Sequence, residues 1–153
     1  MENSRELLIF KCNLQRYAVQ LKDVLKVIAV VKITFLPEAP HFIRGIINMQ
    51  GRFIPIADIR LRMGIEVKDY ELTDQIILIN TPNRMLGLLV DETEVIEVIS
   101  EDDIMDSVTV MPSLKHIKGI TKIKNDIIYI SDIEEFLSLN EEIMLNNALN
   151  KFQ

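Results

Sequence analysis

Residues 44–59 read RGIINMQGRFIPIADI, and residues 118–133 read KGITKIKNDIIYISDI. The two segments align without a gap, from Arg44 with Lys118 to Ile59 with Ile133. Each contains a basic residue followed by Gly-Ile, an apolar strand, a polar turn, a second apolar strand and an Asp-Ile that can open a helix. Isoleucine-rich hairpins can resemble each other by chance, but here the glycine, turn and aspartate positions agree as well. The pattern predicts two copies of one small β unit, packed as pseudo-symmetric halves because each is too small to bury a core alone.

A weaker similarity precedes each copy. Residues 17–21 match residues 86–90 in character, and each of these segments follows another apolar pair, at 9–10 and 78–79. The repeat therefore extends toward the N-terminus of each half.

Short apolar segments with many β-branched residues account for most of the chain. Strands are predicted at 7–10, 17–21, 53–56, 75–79, 85–90, 95–99 and 127–130. Turn-forming residues separate them at 50–51, 81–84 and 125–126. Short strands at this spacing are typical of small β-barrels.

Helical signals are fewer. Residues 22–28 fit a short helix or a turn after a strand. A longer helix is predicted from Ser131, because Ser131 and Glu134 have the spacing of a capping box, in which each side chain bonds the backbone amide of the other. The helix formers that follow extend it to about residue 150, with Asn140 as the point where it could be interrupted.

Composition limits the classes of protein to consider. The chain has 153 residues, 48% hydrophobic and 26% charged, as expected for one well-packed domain. Its net charge of -6 argues against nucleic acid as a partner. The single cysteine, Cys12, cannot form an internal disulfide and suits a reducing cytosol. No signal peptide is visible, and the longest apolar runs, 27–31 and 85–90, are too short to span a membrane. A soluble intracellular protein is expected.

Residues capable of chemistry are few. His41 and His116 occupy nearly equivalent positions of the repeat, which explains their placement better than catalysis or metal binding does. Cys12 ends an apolar strand, and the acidic run 101–103 has the character of a solvated turn. Neither of the two glycine-rich phosphate-binding patterns, GxGxxG and GxxxxGK(S/T), occurs in the sequence. We expect a binding protein, not an enzyme, with no cofactor and no metal.

The repeat segment also carries a family resemblance. Residues 42–60, FIRGIINMQGRFIPIADIR, resemble the signature of CheW-like domains. Residues 87–91 with 95–99 resemble the family's second characteristic strand, and residues 117–120 with 128–133 resemble its third. The resemblance covers residues 7 to about 139.

The resemblance implies a mainly β fold of two pseudo-symmetric five-stranded SH3-like barrels that share a core, plus a C-terminal α-helix. We expect one CheW-like domain over residues 1–153. Its first subdomain is predicted at about 7–66, with the helix at 131–150 packed on it, and its second subdomain at about 74–130.

The resemblance also implies a function. It predicts a non-catalytic adaptor that couples chemoreceptors to the histidine kinase CheA in bacterial chemotaxis arrays. The expected partners are the regulatory domain of CheA and the cytoplasmic tip of methyl-accepting chemotaxis receptors. The expected location is the cytoplasm, at the inner face of the membrane through the receptors.

Family positions associated with receptor coupling correspond here to Lys26, Val27, Gly45, Gln50 and Phe53. On the kinase side the only candidate is the apolar loop segment from Val108 to Met111, since exposed apolar residues would mark an interface. Gly45 also fits a purely backbone role in a turn or bulge, and Val27 and Phe53 fit a plain core role.

Two of these positions depart from the family pattern. The family commonly has arginine where this chain has Gln50, and glutamate where it has Lys26. One hypothesis is that Lys26 and Gln50 face each other and form a hydrogen bond. The alternative is independent change at two exposed positions.

Three other functions are compatible with the sequence. One is a CheW-like regulatory module of another two-component system. Another is an enzyme or a small-ligand-binding protein built on such barrels, which a deep polar pocket containing His41 or His116 with perturbed carboxylates would favour. The third is a purely structural subunit.

Overall fold

The apolar segments of the sequence form eleven strands within residues 3–64, 69–106 and 116–152, the part of the chain that the structure, a computed structural model, describes. The strands are β1 (Ser4–Cys12), β2 (Gln15–Gln20), β3 (Val24–Ala29), β4 (Ile43–Met49), β5 (Arg52–Asp58), β6 (Gln75–Asn80), β7 (Met85–Val90), β8 (Glu92–Ser100), β9 (Ile104–Asp106), β10 (Ile117–Ile123) and β11 (Asp126–Ser131). Helix α1 covers Ile59–Arg62 and helix α2 covers Leu139–Phe152, while Leu21–Asp23 and Glu101–Asp103 form 3₁₀ turns.

The short helix or turn predicted at residues 22–28 is wrong for most of its length. Only Leu21–Asp23 is helical, and Val24–Ala29 is strand β3. Antiparallel pairing with β6 determines the conformation of this segment, since Val27 lies opposite Ile77. Tertiary pairing therefore outweighs the weak local helical signal.

The strands form two sheets. The first, barrel A, has the order β8-β1-β2-β11-β10-β9, and the second, barrel B, has the order β3-β6-β7-β5-β4. Neighbours are antiparallel except for one parallel pair in each sheet, β2 with β11 and β5 with β7. The predicted fold class is confirmed: the protein is mainly β, with two SH3-like barrels and a C-terminal helix. Barrel B has the predicted five strands, whereas the sheet of barrel A has six, because β9 pairs with β10 at its edge.

The predicted repeat is preserved in the register of hydrogen bonding. In the β4–β5 hairpin Ile43 lies opposite Ala57, and at the equivalent positions of the β10–β11 hairpin Ile117 lies opposite Ser131. In both hairpins a bulge follows at once, before the glycine of the repeat. A shared bulge at the same position indicates that the two hairpins have the same backbone plan.

Their turns agree as well. Gln50 and Gly51 have φ values of 53° and 86°, and the equivalent Lys124 and Asn125 have φ values of 51° and 67°. Two central residues with positive φ are typical of a type I′ hairpin turn, whose twist matches that of the flanking strands. Asparagine and glycine tolerate this conformation well, which explains their presence at the second turn position.

The weaker similarity corresponds to a second pair of hairpins. Ile9 lies opposite Ala18 in the β1–β2 hairpin, and their equivalents Leu78 and Gly87 lie opposite each other in the β6–β7 hairpin. The parallel contacts repeat too, because Ile130 pairs with Ala18 and Ile56 pairs with Gly87.

The two halves exchange these hairpins. Barrel A combines the β1–β2 hairpin of the first half with β8–β11 of the second, and barrel B combines the β6–β7 hairpin of the second half with β3–β5 of the first. The strands of each sheet therefore do not follow the predicted subdomain ranges 7–66 and 74–130. Sequence similarity identifies the repeated units but does not show which copy completes which sheet.

Both faces of several strands are buried. Along β1, Leu7 and Ile9 pack inside barrel A, whereas Leu8 and Phe10 pack in a larger core shared by the two barrels. Alternate side chains of a strand point to opposite faces, so one strand serves two cores. The shared core also includes Val19, Phe42, Ile77, Leu88, Phe136 and Leu145.

A buried arginine joins the ends of several elements. Arg60 in α1 is fully buried and pairs with Asp58, Asp74 and Asp91. Burial alone would lower the pKa of Arg60, but the hydrogen bond to Asp91 and the charges of the three carboxylates raise it above its ordinary value. Asp91 also accepts a hydrogen bond from the backbone amide of Asn13, at 2.8 Å, and so connects the turn of β1–β2 to barrel B.

Helix α2 begins later than predicted. Ser131 does not cap it, because Ser131 is the last residue of β11 and pairs with Ile117. The capping box lies further along the chain: the Ser138 amide donates to Glu141 Oε1 at 2.8 Å, and the Glu141 amide donates to Ser138 Oγ at 3.2 Å. Asn140 lies inside the first turn of the helix and does not interrupt it.

Ion pairs attach the start of helix α2 to elements next to barrel B. Glu141 accepts two hydrogen bonds from Arg62, at 2.7 and 2.8 Å, and Glu142 pairs with Arg84 at 2.8 Å. The guanidinium carbon of Arg62 lies 4.1 Å from the ring centroid of Phe42. Since Arg62 is almost fully buried, its bidentate pairing with Glu141 is protected from solvent.

We expect Glu141→Gln to lower the free energy of unfolding by about 1 kcal/mol at pH 7. Burial by itself would raise the pKa of Glu141, but hydrogen bonds from Arg62 and the Ser138 amide lower it below its ordinary value. A carboxyl whose pKa is lower in the folded state stabilises the fold above its unfolded pKa, and this contribution is lost as the pH falls through the folded pKa. The difference from the unmodified protein, measured by urea unfolding, should therefore be present at pH 7 and fade in acid, as Glu141 becomes protonated in the folded protein.

The control for this experiment is Glu135→Gln, which changes an exposed carboxylate without an ion pair among the described residues. Equal effects of the two substitutions, or a Glu141→Gln effect that does not depend on pH, would contradict the role of the Arg62 contact.

Candidate functional site

An open cleft at one end of barrel B contains two of the predicted receptor-side residues. The cleft has a volume of about 190 Å³ and is lined by residues from β3, β6, β7 and the β4–β5 hairpin, here called cleft B: Leu25, Lys26, Met49, Gln50, Arg52, Ile54, Leu78 and Met85. Its base is apolar, because Ile54 and Leu78 belong to the interior of the barrel. Apolar side chains with a few charged groups around them are typical of protein-binding surfaces.

Lys26 and Gln50 both line cleft B, and both are exposed. The structure therefore brings together the two positions at which the chain departs from the family pattern. The hydrogen bond hypothesised between them is not formed: among the described residues, neither side chain has a hydrogen-bond partner. Both remain available for a binding partner.

Val27 and Phe53 lie outside cleft B. Val27 follows Lys26 on β3, so its side chain points to the opposite face and packs against the shared core. Phe53 lies between Arg52 and Ile54 and is 38% exposed. Its ring packs edge-on against Phe152 of helix α2, with 5.4 Å between centroids. Phe53 thus belongs to the contact between helix and barrel and presents only part of its ring to solvent.

Gly45 contributes backbone geometry. It is buried, its φ is 154°, and it follows the bulge in β4. A Cβ atom at Gly45 would lie 2.0 Å from the carbonyl oxygen of Thr34, whose backbone bridges to Ile46. Only glycine permits this close approach.

The kinase-side residues Val108 and Met111 lie outside the described residues. Within the described residues, exposed apolar side chains are present on strand β8, at Val95, Ile96 and Val98.

A second cleft lies at the equivalent end of barrel A and has a volume of about 320 Å³. Cleft A is lined by Ile9, Arg16, Glu94, Val95, Glu97, Ile123, Lys124, Asp126 and Ile128. The alignment of the two repeats relates the clefts position by position. It pairs Leu25 with Glu94, Lys26 with Val95, Leu78 with Ile9, Met85 with Arg16, Met49 with Ile123, Gln50 with Lys124, Arg52 with Asp126 and Ile54 with Ile128. The same backbone positions build both clefts.

The sequence-based prediction missed Arg52 and Met85 in cleft B, and all of cleft A. The sequence contained evidence for these residues. Arg52 follows the predicted turn at 50–51, and the repeat alignment relates the residues of one cleft to their equivalents in the other. The parallel pairing that brings the hairpins together was not readable from the sequence.

The cysteine and the two histidines are in packed or hydrogen-bonded environments. Cys12 is buried, and burial raises the pKa of its thiol to about 12, which disfavours the nucleophilic thiolate. His41 packs edge-on against Phe42, and His116 lies 3.1 Å from Arg62 Nη2 through Nδ1. Among the residues that the structure describes, no group of three or more His, Cys, Asp or Glu side chains could hold a metal ion. No helix in this part of the chain is long and apolar enough to cross a membrane.

Comparison with known proteins agrees with this geometry. The model of the CheW-like domain family matches residues 6–141. The chain belongs to the CheW-like domain family. The resemblance that the repeat segment carries is thereby confirmed.

Relatives in the CheW-like family cover almost the whole chain. The chemotaxis protein CheW of Thermotoga maritima is 29% identical over 145 residues, which span 94% of this chain and 93% of that protein. The chemotaxis protein CheW of Rhizobium meliloti is 26% identical over 139 residues, 90% of each chain. The crystal structure of the scaffolding protein TtCheW from Thermoanaerobacter tengcongensis superposes with a TM-score of 0.81 at 29% identity, over 90% of this chain and 94% of that one. These relatives and this structural match confirm the predicted function of a chemotaxis coupling adaptor.

Gly45→Ala tests whether this family position has a backbone role. We expect a loss of about 3 kcal/mol or more in the free energy of unfolding, or failure to fold, because the new methyl group would overlap the Thr34 carbonyl. Urea unfolding followed by circular dichroism measures this effect. Gly51→Ala is the control: no atom lies within 4 Å of its Cβ position, so only its positive φ opposes the change, at about 1 kcal/mol. A Gly45→Ala protein as stable as the control would contradict the backbone role.

Proposed function

We propose that this adaptor joins the regulatory domain of the histidine kinase CheA to the cytoplasmic tip of methyl-accepting chemotaxis receptors. Family membership supports the proposal. An adaptor needs two surfaces held at a fixed distance and angle, and the shared core between the barrels provides that rigidity. Through the receptors, the protein would act at the inner face of the membrane.

On the receptor side we assign Lys26 and Gln50 to direct contact, because both are exposed in cleft B. Phe53 lies at the neighbouring contact with helix α2. Val27 and Gly45 shape the strands that present the cleft, the first from the core and the second through the bulge of β4. The observation that carries this assignment is that two distant sequence positions of the receptor-side set meet in one cleft.

On the kinase side the proposal names Val108 and Met111, because the segment from Val108 to Met111 is apolar in sequence and exposed apolar residues mark interfaces.

The experiment measures binding of the CheA regulatory domain and of a receptor-tip fragment, each alone and then together. We expect dissociation constants of about 10 μM or tighter for each partner. The receptor fragment should be retained by immobilised kinase domain only when the adaptor is added. Absence of binding to both partners would contradict the proposed function.

A pair of turn variants tests the receptor-side assignment. Gln50→Glu should weaken receptor binding, because it introduces a carboxylate into cleft B. Lys124→Glu introduces the same side chain at the equivalent turn position of cleft A, where φ is 51° compared with 53° at Gln50, so the cost to the backbone is the same. Equal receptor affinities of the two variants would contradict the assignment to cleft B.

A further inference from the structure

The arginine of cleft A is already paired with acidic side chains of the same cleft. Arg16 lines this cleft and pairs with Glu94 through Nε, at 2.7 Å, and with Asp126 through Nη1, at 2.6 Å. These contacts raise the pKa of Arg16 above its ordinary value, with the hydrogen bond to Glu94 as the largest cause. A partner that binds here must compete with ion pairs already formed.

Cleft B has the same backbone positions but none of these pairs. The equivalents of Arg16, Glu94 and Asp126 are Met85, Leu25 and Arg52, so two charged side chains are replaced by apolar ones and one carboxylate by a cation.

The cations of cleft B are unpaired. Lys26 and Arg52 are both exposed, and neither has an ion pair or a side-chain hydrogen bond within the described ranges 3–64, 69–106 and 116–152. The cleft contains no carboxylate among its described lining residues. In a chain with a net charge of -6, a cleft with two cations and no acid is a local reversal of charge.

The rest of cleft B is apolar. Leu25 is half exposed, and Met49 and Met85 are partly buried against the barrel interior. Methionine side chains adapt to the shape of a bound partner, and burial of this apolar surface would contribute to affinity.

We infer that cleft B docks a protein segment that places a carboxylate against Lys26 and Arg52 and apolar side chains against Leu25, Met49 and Met85. This inference rests on the proposed function, since it takes the segment to belong to the receptor tip. It specifies the chemistry of the contact: the receptor contributes the negative charge and the adaptor contributes the positive charge. Complementary charge fixes the register of the segment, and the apolar floor stabilises it.

Lys26→Glu tests the inference. Binding of the receptor-tip fragment, measured by calorimetry at about 0.1 M salt, should weaken by about tenfold, because attraction becomes repulsion. The difference should shrink in about 1 M salt, where charges are screened beyond a few ångströms. The matched control is Val95→Glu, which places the same carboxylate at the equivalent exposed strand position of cleft A. It should leave receptor affinity within about twofold of the unmodified protein, as expected for a surface change outside the contact.

A zero-length carbodiimide provides a second measurement, since it joins an amine to a carboxylate only when the two are in contact. Mass spectrometry should find Lys26 joined to an aspartate or glutamate of the receptor fragment. Lys26→Arg should keep the affinity and remove this cross-link, because a guanidinium retains the charge but does not couple. Lys124→Arg in cleft A should leave the cross-link unchanged.

The outcomes separate the inference from the proposed function. Receptor binding that is equally sensitive to Lys26→Glu and Val95→Glu would overturn the inference and leave the adaptor function intact. The inference is overturned in the same way if Lys26 is joined only to Glu94, Glu97 or Asp126 of a second copy of this chain, or only to the kinase domain. Failure of the unmodified chain to bind the receptor fragment would overturn both.

Discussion

The fold depends on the exchange of hairpins between the two halves of the chain. The β1–β2 hairpin completes the sheet of the second half, and the β6–β7 hairpin completes the sheet of the first. The junctions are the parallel pairs of β2 with β11 and of β5 with β7, where Ile56 lies so close to Gly87 that a Cβ atom there would be 2.5 Å from its Cδ1. Neither half has a complete sheet alone, so the barrels form together and share one core.

The buried charges around Arg60 follow from this exchange. Asp58 ends β5 in the first half, while Asp74 and Asp91 flank the β6–β7 hairpin of the second. The guanidinium therefore lies where an exchanged hairpin joins its host sheet. A buried cation is costly unless it is paired, and removal of one partner leaves the others uncompensated. The charges thus favour the one arrangement in which all three carboxylates pair with Arg60. This arrangement fixes the position of the β6–β7 hairpin in barrel B.

The sequence predicted the local plan of the fold better than its assembly. The gapless alignment of residues 44–59 with 118–133 predicted two hairpins whose register and bulges agree, because turn residues and alternating apolar residues act over short distances. The choice of partner sheet depends on parallel contacts between segments far apart in the chain, such as Ala18 with Ile130 and Ile56 with Gly87, and leaves no local signal.

The start of the C-terminal helix illustrates the same limit. Residues 131–134 and 138–141 both have the Ser-x-x-Glu spacing of a capping box, so local sequence favours neither. Pairing of Ser131 with Ile117 holds the first segment in the sheet, and only the second is free to cap a helix. Within the candidate site, adjacent residues of a strand point to opposite faces. Lys26 and Arg52 therefore line cleft B, whereas Val27 and Phe53 do not. The matching of family positions alone does not distinguish these two groups.

The pseudo-symmetry explains how one scaffold can present two different surfaces. Registers, bulges and turn conformations are kept between the halves because the exchanged sheets and the shared core require them. Apart from the buried Ile9, Ile54, Leu78 and Ile128, the side chains that line the clefts carry less of this constraint, because they are partly or fully exposed to solvent. Arg16 and Met85 occupy equivalent positions, yet Arg16 forms ion pairs in cleft A, whereas Met85 contributes apolar surface to cleft B. A duplicated fold therefore fixes the geometry between the two clefts while leaving the chemistry of each free to differ. An adaptor that must recognise two unlike partners at a fixed spacing needs both properties.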